Sequence, residues 1–379
     1  MRQAYAEVER WMRAAGMTVR LDAAGNLRGR YPGASARTLY VGSHLDTVPH
    51  AGAFDGILGV AAGVALVELL ADTPLPFAVE VIGFSDEEGV RFGVPFIGSC
   101  ALAGTLDDNV LARTDDRGIS VREALRSFGV ESGAVTSAAA PSADAVGWLE
   151  LHIEQGPLLE RLGLPLAVVN AIAGQTRLSL TFTGAARHAG TTPMDHRRDA
   201  LAGAAEWIVA VEQCARTTSG LVATVGRVAL EPGATNVVPG RVDVTLDIRH
   251  PDDDLRATAR DELIGVARAI AGHRSLALGV NTMLEQPAVP MDPALTARLA
   301  SAIERTGHRP HRMTSGAGHD AMIVASKMPA AMLFVRSPGG ISHHPDENVV
   351  ESDVDAALDV LRALVDDLAR SFPGETPRG

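Results

Sequence analysis

The chain has 379 residues, 46% of them hydrophobic, which is long enough for two domains with cores of their own. A formal net charge of −12 argues against nucleic acid or an anionic membrane surface as partner, and an anionic substrate then needs a local arginine. The start lacks an apolar signal region, no apolar run is long enough to span a bilayer, and Cys100 and Cys214 are too far apart in sequence to imply a disulfide framework, so the expected location is the reducing cytoplasm.

In chain order, the apolar spacing predicts a helix over 5–15 closed by Gly16, then a hairpin over 17–31 turning at 22–26. A strand over 38–42, a helix over 57–70, a strand over 77–84, a long mixed stretch, a strand over 148–152 and a helix over 155–162 follow. Strands alternating with helices argue for a βαβ-built, largely parallel sheet, whose ligands bind beyond the carboxyl ends of the strands. The alanine-rich 132–144 stretch is the expected flexible loop. Near Gly174 the pattern changes to a strand over 177–183, a helix over 199–217, strands over 221–230 and 241–248, a helix over 254–271 and a strand over 275–284. That βαββαβ order is the split ferredoxin-like unit. Helices over 293–306 and 320–326, a strand over 331–335 and a helix over 351–371 complete the chain. The expected architecture is a discontinuous α/β catalytic domain, mainly a parallel sheet, over 1–173 and 287–379, with an inserted ferredoxin-like α+β domain over 174–286.

Potential metal ligands recur at strand ends. His44 and Asp46 end the 38–42 strand; with period-two alternation they point the same way, so Asp46 can orient the imidazole. Asp55, before a helix, suits either an N-cap or a carboxylate bridging two cations. In Glu87-Glu88, after the 77–84 strand, one residue can ligate while the other takes a proton from water. His152 ends another strand, and His343-His344 lie in a glycine-rich loop. Each has a plain structural role when taken alone; their shared position at strand ends points to a two-metal hydrolase.

These motifs together resemble the peptidase M20 superfamily and, within it, the hydantoinase/carbamoylase amidases. The matching stretches are GSHLDTVPHAGAFDG, FSDEEGVRFGVPFIGS, HIEQGPLLE, RHAGTTPMDHRRDAL, TNVVPG with DIRH, SGAGHDAM and RSPGGISHHPDENV, spread over nearly the whole chain. The resemblance implies that His44, Asp55, Glu88, His152 and His343 hold two divalent cations (Zn, Mn, Co or Ni), with Asp55 bridging. His343 is favoured over His344 by the family's His-x-Pro-x-Glu pattern. It implies Glu87 as general base, and Gln155 and Gly340 in the substrate site. His188 then completes a partner subunit's site in a homodimer formed through the inserted domain, which doubles as a lid. Asn236 and Arg249 match the pair that holds a substrate carboxylate, chemistry suited to an arginine fork. His196, Arg197, His319 and Asp320 are weaker candidates. His152, where peptidase relatives commonly carry a carboxylate, marks the amidase branch. The implied substrate is a small ureido carboxylate, an N-carbamoyl-L-amino acid, allantoate or β-ureidopropionate, with a dipeptidase or N-acyl-amino-acid deacylase as the alternative. Relatives usually carry a further helical segment ahead of the helix that begins here near Tyr5.

Overall fold

The computed structural model describes residues 1–71, 73–130, 135–140 and 142–372. Their contacts divide into two compact units, Met1–Asn170 with Met291–Gly379, and Ala171–Pro290. The division falls at 170/171 and 290/291 rather than at 173/174 and 286/287. A short antiparallel ladder, Ile172 against Val289 and Ala171 against Pro290, keeps these residues with the second unit.

The strands of the first half are β1 (Thr18–Leu21), β2 (Leu27–Tyr31), β3 (Thr38–His44), β4 (Ala78–Phe84), β5 (Ala145–Ile153) and β6 (Leu166–Ile172). The second unit contributes β7 (Gly174–Thr183), β8 (Arg187–His188), β9 (Val222–Glu231), β10 (Val237–Val238), β11 (Arg241–His250), β12 (Ala277–Gln286) and β13 (Val289–Pro290). β14 (Arg312–Ser315) and β15 (Ala330–Val335) follow.

The large sheet runs β1-β2-β4-β3-β5-β15-β6. Its four central strands, β4, β3, β5 and β15, are parallel. The mostly parallel centre is as expected; the β1–β2 hairpin against β4, and β6 against β15, add antiparallel flanks. Alternation sorts the central strands. Leu39, Val41, Val79, Val81, Leu149, Leu151, Ile153, Ala331, Leu333 and Val335 join one core with the helices Ile57–Leu69, Pro293–Arg305 and Glu351–Ser371. The intervening residues face the other way, and that set includes His44, Glu150 and His152. The helix Ile57–Leu69 is apolar on all sides, as a helix between a sheet and further helices has to be.

In the second unit, β12-β7-β11-β9 form an antiparallel sheet. The helices Ala200–Thr217 and Asp253–His273 pack on one face around Phe182, Trp207, Val244 and Leu263. Asp199 and Asp252 cap these helices by accepting backbone N–H bonds.

Two differences from the expected elements have local causes. The helix expected over 155–162 starts only at Leu158, because Gln155 has positive φ and Pro157 is the N-cap. β6 was not foreseen, its apolar run being interrupted by exposed Asn170. The stretch 97–128 holds the helices Ile97–Ala103, Asp108–Leu111 and Val121–Phe128. Of the expected 132–144 loop, residues 132–134 and 141 lie outside the described residues; the rest contains the 3-10 turns Val135–Ala138 and Ser142–Asp144. Cys100 and Cys214 are free, and no described helix is long and apolar enough to cross a membrane.

Leu151 is fully buried between sheet and helices. Leu151→Ala should therefore cost about 2–5 kcal/mol in urea unfolding; a loss below about 1 kcal/mol would show that this layer relaxes around the gap.

Candidate metal centre

β3 and β5 run parallel and adjacent, so they deliver His44 and His152 side by side at their carboxyl ends, with ring centroids 5.7 Å apart. Each ring has one nitrogen tied to backbone: His44 Nδ1 lies 2.8 Å from the Asp46 carbonyl, and His152 Nδ1 lies 2.9 Å from the Ile153 carbonyl. Such bonds place the proton on Nδ1 and leave the Nε2 lone pairs to a ligand-binding role. Asp55 lies between them and a second group. Its Oδ1 is 3.2 Å from His152 Nε2 and 3.6 Å from His44 Nε2. Its Oδ2 is 3.0 Å from His343 Nε2. Asp55 does not cap the following helix, whose N-cap is Gly56 without any side-chain cap bond. Gly56 takes φ 72°, and a Cβ there would lie 2.4 Å from the His44 ring, so only glycine lets the helix start this close.

Glu87 and Glu88 leave β4 on a turn held by Asp46, whose carboxylate accepts their two N–H bonds at 3.0 and 3.1 Å. Asp46 thus reaches His44 with its carbonyl; its carboxylate, expected on the imidazole, is 4.0 Å away. β3 ends at His44, and the alternation that would align residue 46 with residue 44 ends with it. Glu88 Oε1 is 3.7 Å from His343 Nε2, and Glu87 Oε2 is 3.9 Å from His44 Nε2. His343, with φ 56°, turns toward Asp55, whereas exposed His344 accepts the Asp346 N–H. Gln155 donates to Asp55 Oδ2 and Ser342 Oγ, and its Oε1 is buried without a partner. Gly340 lies where a Cβ would meet Pro157 N at 2.8 Å, so this loop packs directly on the turn that follows Gln155.

Two sets of donor atoms therefore converge, His44–Asp55–His152 and Asp55–Glu88–His343, each within 4.8 Å and sharing Asp55. His152 Nε2 and Glu88 Oε1 are buried without a hydrogen bond. Imidazole nitrogens and carboxylate oxygens at these spacings, with orphaned lone pairs, fit divalent cations.

The electrostatics point the same way. Burial alone would push Asp55 up, yet His152, His44 and His343 hold it well below the usual carboxylate range. Burial and then Asp320 push Glu87 far up, and burial and then Asp55 push Glu88 up to about 7. Burial lowers His44; it opposes a proton on His152 too, where Asp55 prevails and the net shift is upward. Behind Glu87 lies a buried layer in which the sequence marks His319 and Asp320 as candidates but not Glu150. Glu150 is buried and accepts from Ser43 Oγ, Trp148 Nε1 and the Ala321 N–H. Asp320 is fully buried, and burial with Glu150 drives it far up. His319, also buried, packs edge-on against His152 at 4.4 Å and bonds to Ser315 Oγ. The available signal for Glu150 was a charge two residues before His152 in an otherwise apolar strand.

The remaining candidates belong to the second unit. The β8–β10 ladder pairs His188 with Val237, and Asn236 accepts the Ala189 N–H through its carbonyl. His188 Nδ1 accepts the N–H groups of Gly190 and Thr191, which in the neutral ring leaves the proton on Nε2 as a donor. Arg197 braces this loop by donating to the Thr192 and Ala189 carbonyls, while His196 is exposed. Arg249 lies on an inner strand and donates through Nε and Nη2 to Asp247, which also accepts from Gln175 and Arg177.

A buried cluster of histidines and carboxylates that could hold metal ions, at the carboxyl ends of parallel strands, defines the class, a metal-dependent hydrolase. The chain belongs to peptidase family M20/M25/M40, whose model matches residues 40–367. It is 41% identical over 371 residues to an N-carbamoyl-L-amino acid amidohydrolase of Geobacillus stearothermophilus, covering 96% of this chain and 90% of that protein. It is 41% identical over 390 residues to an allantoate deiminase of Arabidopsis thaliana, covering 93% and 74%. A solved amidase of the hydantoinase/carbamoylase family from Burkholderia multivorans superposes with a TM-score of 0.92 at 35% identity, covering 99% of this chain and 92% of that one.

Cation binding should compete with the Glu88 proton, so affinity should fall about tenfold for each pH unit below about 7. For the metal-free fold the sign is set by a raised value. The stability from the retained proton is fully present below the ordinary carboxylate range and lost as pH rises through about 7. Between about pH 6 and about pH 8, stripped wild-type protein should therefore lose more Tm than stripped Glu88→Gln; equal losses would remove Glu88 as the cause.

Proposed function

We propose that the protein is a dinuclear metal amidohydrolase that cleaves the ureido C–N bond of a small N-carbamoyl carboxylate, an N-carbamoyl-L-amino acid or allantoate, and releases ammonia. The observation that carries this reading is Asp55, whose two oxygens each face a separate set of donors beside the buried Glu87. Two divalent cations on His44, Asp55, Glu88, His152 and His343 would supply Lewis acidity and acidify a water. Glu87, outside both donor sets, takes the water's proton and returns it to the leaving nitrogen. Its buried acidic surroundings favour holding that proton between the two transfers. Gln155 Oε1, buried and unpartnered, suits a ureido N–H. His188 Nε2–H suits the oxyanion of the tetrahedral stage. Arg249 and Asn236 take the substrate carboxylate.

The second unit would pair with a second copy of the chain and bring His188 to the partner's site. Exposed Met194, Val209, Val222 and Met283 give it apolar surface for such contact.

Ammonia release should be measured with allantoate, N-carbamoyl-L-amino acids and β-ureidopropionate under Zn, Mn, Co or Ni, beside dipeptides and N-acyl amino acids. Turnover confined to the last two classes would overturn the ureido assignment. Glu87→Gln should lower turnover by roughly two to four orders of magnitude while metal content stays near wild type.

Arg249→Ala should lower kcat/KM by roughly ten- to several-hundred-fold for a carboxylate substrate and much less for its uncharged amide analogue. Equal losses with both would make Arg249 a structural residue. Mixed heterodimers of His188→Ala and Glu87→Gln chains should regain activity, because one of their two sites is intact; no recovery in proven heterodimers would mean that each subunit works alone.

A further inference from the structure

We infer that Glu347 is a positioning residue that locks the loop bearing Asp55 to the loop bearing His343, and so holds the second cation site, Asp55–Glu88–His343, together. The inference rests on the two-cation reading above.

Glu347 is 5% exposed, although it follows four exposed residues in a surface loop. Its Oε1 accepts the N–H groups of Phe54 and Asp55, both at 3.0 Å. Its Oε2 lies 3.2 Å from Ser342 Oγ, and that hydroxyl also lies 3.4 Å from Asp55 Oδ2 and accepts from Gln155 Nε2. One carboxylate thus fixes the main chain of the shared ligand from one side and, through Ser342, the residue before His343 from the other. Neither segment has a regular hydrogen-bond ladder to hold it: residues 51–54 and 341–350 belong to no helix or strand. Packing confirms how tight the contact is, since a Cβ on Gly52 would lie 2.2 Å from the Glu347 Cβ.

The two donor sets are anchored differently. His44 lies in the β3–β4 ladder opposite Phe84 and His152 in the β5–β15 ladder opposite Phe334, so two of the three donors of the first set keep their place if the loops shift. His343 reaches Asp55 from an irregular loop with nearly half of its side chain exposed. Losing the Glu347 clamp frees that loop and lets the Asp55 carboxylate rotate away from its second role. Groups that orient metal ligands typically change metal affinity by about 10–100-fold when removed.

The test is calorimetric titration of stripped protein with Zn and with Mn, read beside the Tm of the stripped protein and elemental analysis after dialysis. Glu347→Ala should weaken the second cation by about 10–100-fold and the first by less than about threefold, with the stripped Tm near wild type. Glu347→Gln, which keeps the Oε1 acceptor, should restore most of the affinity. Glu347→Asp, which keeps the charge but withdraws the acceptor by one methylene, should not. Should the alanine variant fail to fold, the glutamine and aspartate pair gives the same comparison. Two wild-type-like cations in Glu347→Ala, or in Glu347→Asp, would overturn the proposal. So would equal weakening of both cations together with a fall in the stripped Tm, the signature of a general structural role. A wild-type chain that binds one cation overturns the two-cation reading itself and this inference with it.

Discussion

Asp55 is the group on which the rest of the catalytic unit depends. Its carboxylate is buried with two imidazoles on one oxygen and a third on the other, and it stays ionised against the cost of burial because those imidazoles surround it. Four other carboxyls nearby meet the opposite balance. Burial pushes Glu87, Glu88, Glu150 and Asp320 up, and the charge of neighbouring carboxylates adds to it at Glu87, Glu88 and Asp320. Without divalent cations the site concentrates negative charge that it can tolerate only by holding protons. A fold selected for stability alone would not gather these groups, because uncompensated buried charge is destabilising. Their arrangement becomes favourable once cations are bound, which ties metal affinity to the integrity of the sheet.

The sheet supplies position at low cost. Because alternate residues of β3 and β5 are committed to the helix-facing core, the intervening residues have one direction left, and His44, Glu150 and His152 take it. Beyond the strand ends, regular hydrogen bonding stops and side chains replace it. Asp46 takes two consecutive N–H groups at Glu87–Glu88, and Glu347 takes two at Phe54–Asp55. The same device, a carboxylate bound to successive amides, holds both acidic loops. It satisfies backbone donors that burial would otherwise leave orphaned.

The parts of this arrangement that a sequence discloses are those governed by local rules. The strand ends at His44 and His152 follow from apolar runs, and the βαββαβ order of the second unit follows from strand and helix periods of conventional length. Local rules fail where the chain departs from them. Asp46 lies past the end of β3, so its direction is set by the turn at Glu87–Glu88 and not by alternation. Gln155 adopts positive φ, which ends one element and delays the next helix to Leu158. Glu150, Asp320 and Glu347 gain meaning only from partners more than a hundred residues away, as Glu150 does with Ser43 and Glu347 with Asp55. The SGAGHDAM and His-x-Pro-x-Glu stretches mark Asp320 and Glu347, but no pattern within a window of the sequence names their partners.

Arg249 shows how the second unit can hold an anion in an acidic chain. A formal charge of −12 repels carboxylates at long range, so selection for one has to come from contact geometry. Asp247 orients the Arg249 guanidinium through Nε and Nη2, and is itself fixed by Gln175 and Arg177. A substrate carboxylate bound there, as proposed, would meet a guanidinium whose plane is set before binding and whose charge is already shared. Sharing weakens the attraction for anions in general. Orientation preserves it for an anion that arrives in the right plane with its ureido group directed away, because less side-chain entropy is then lost on binding. Such a site would trade raw affinity for discrimination, the property an amidohydrolase needs when most small anions around it are not substrates.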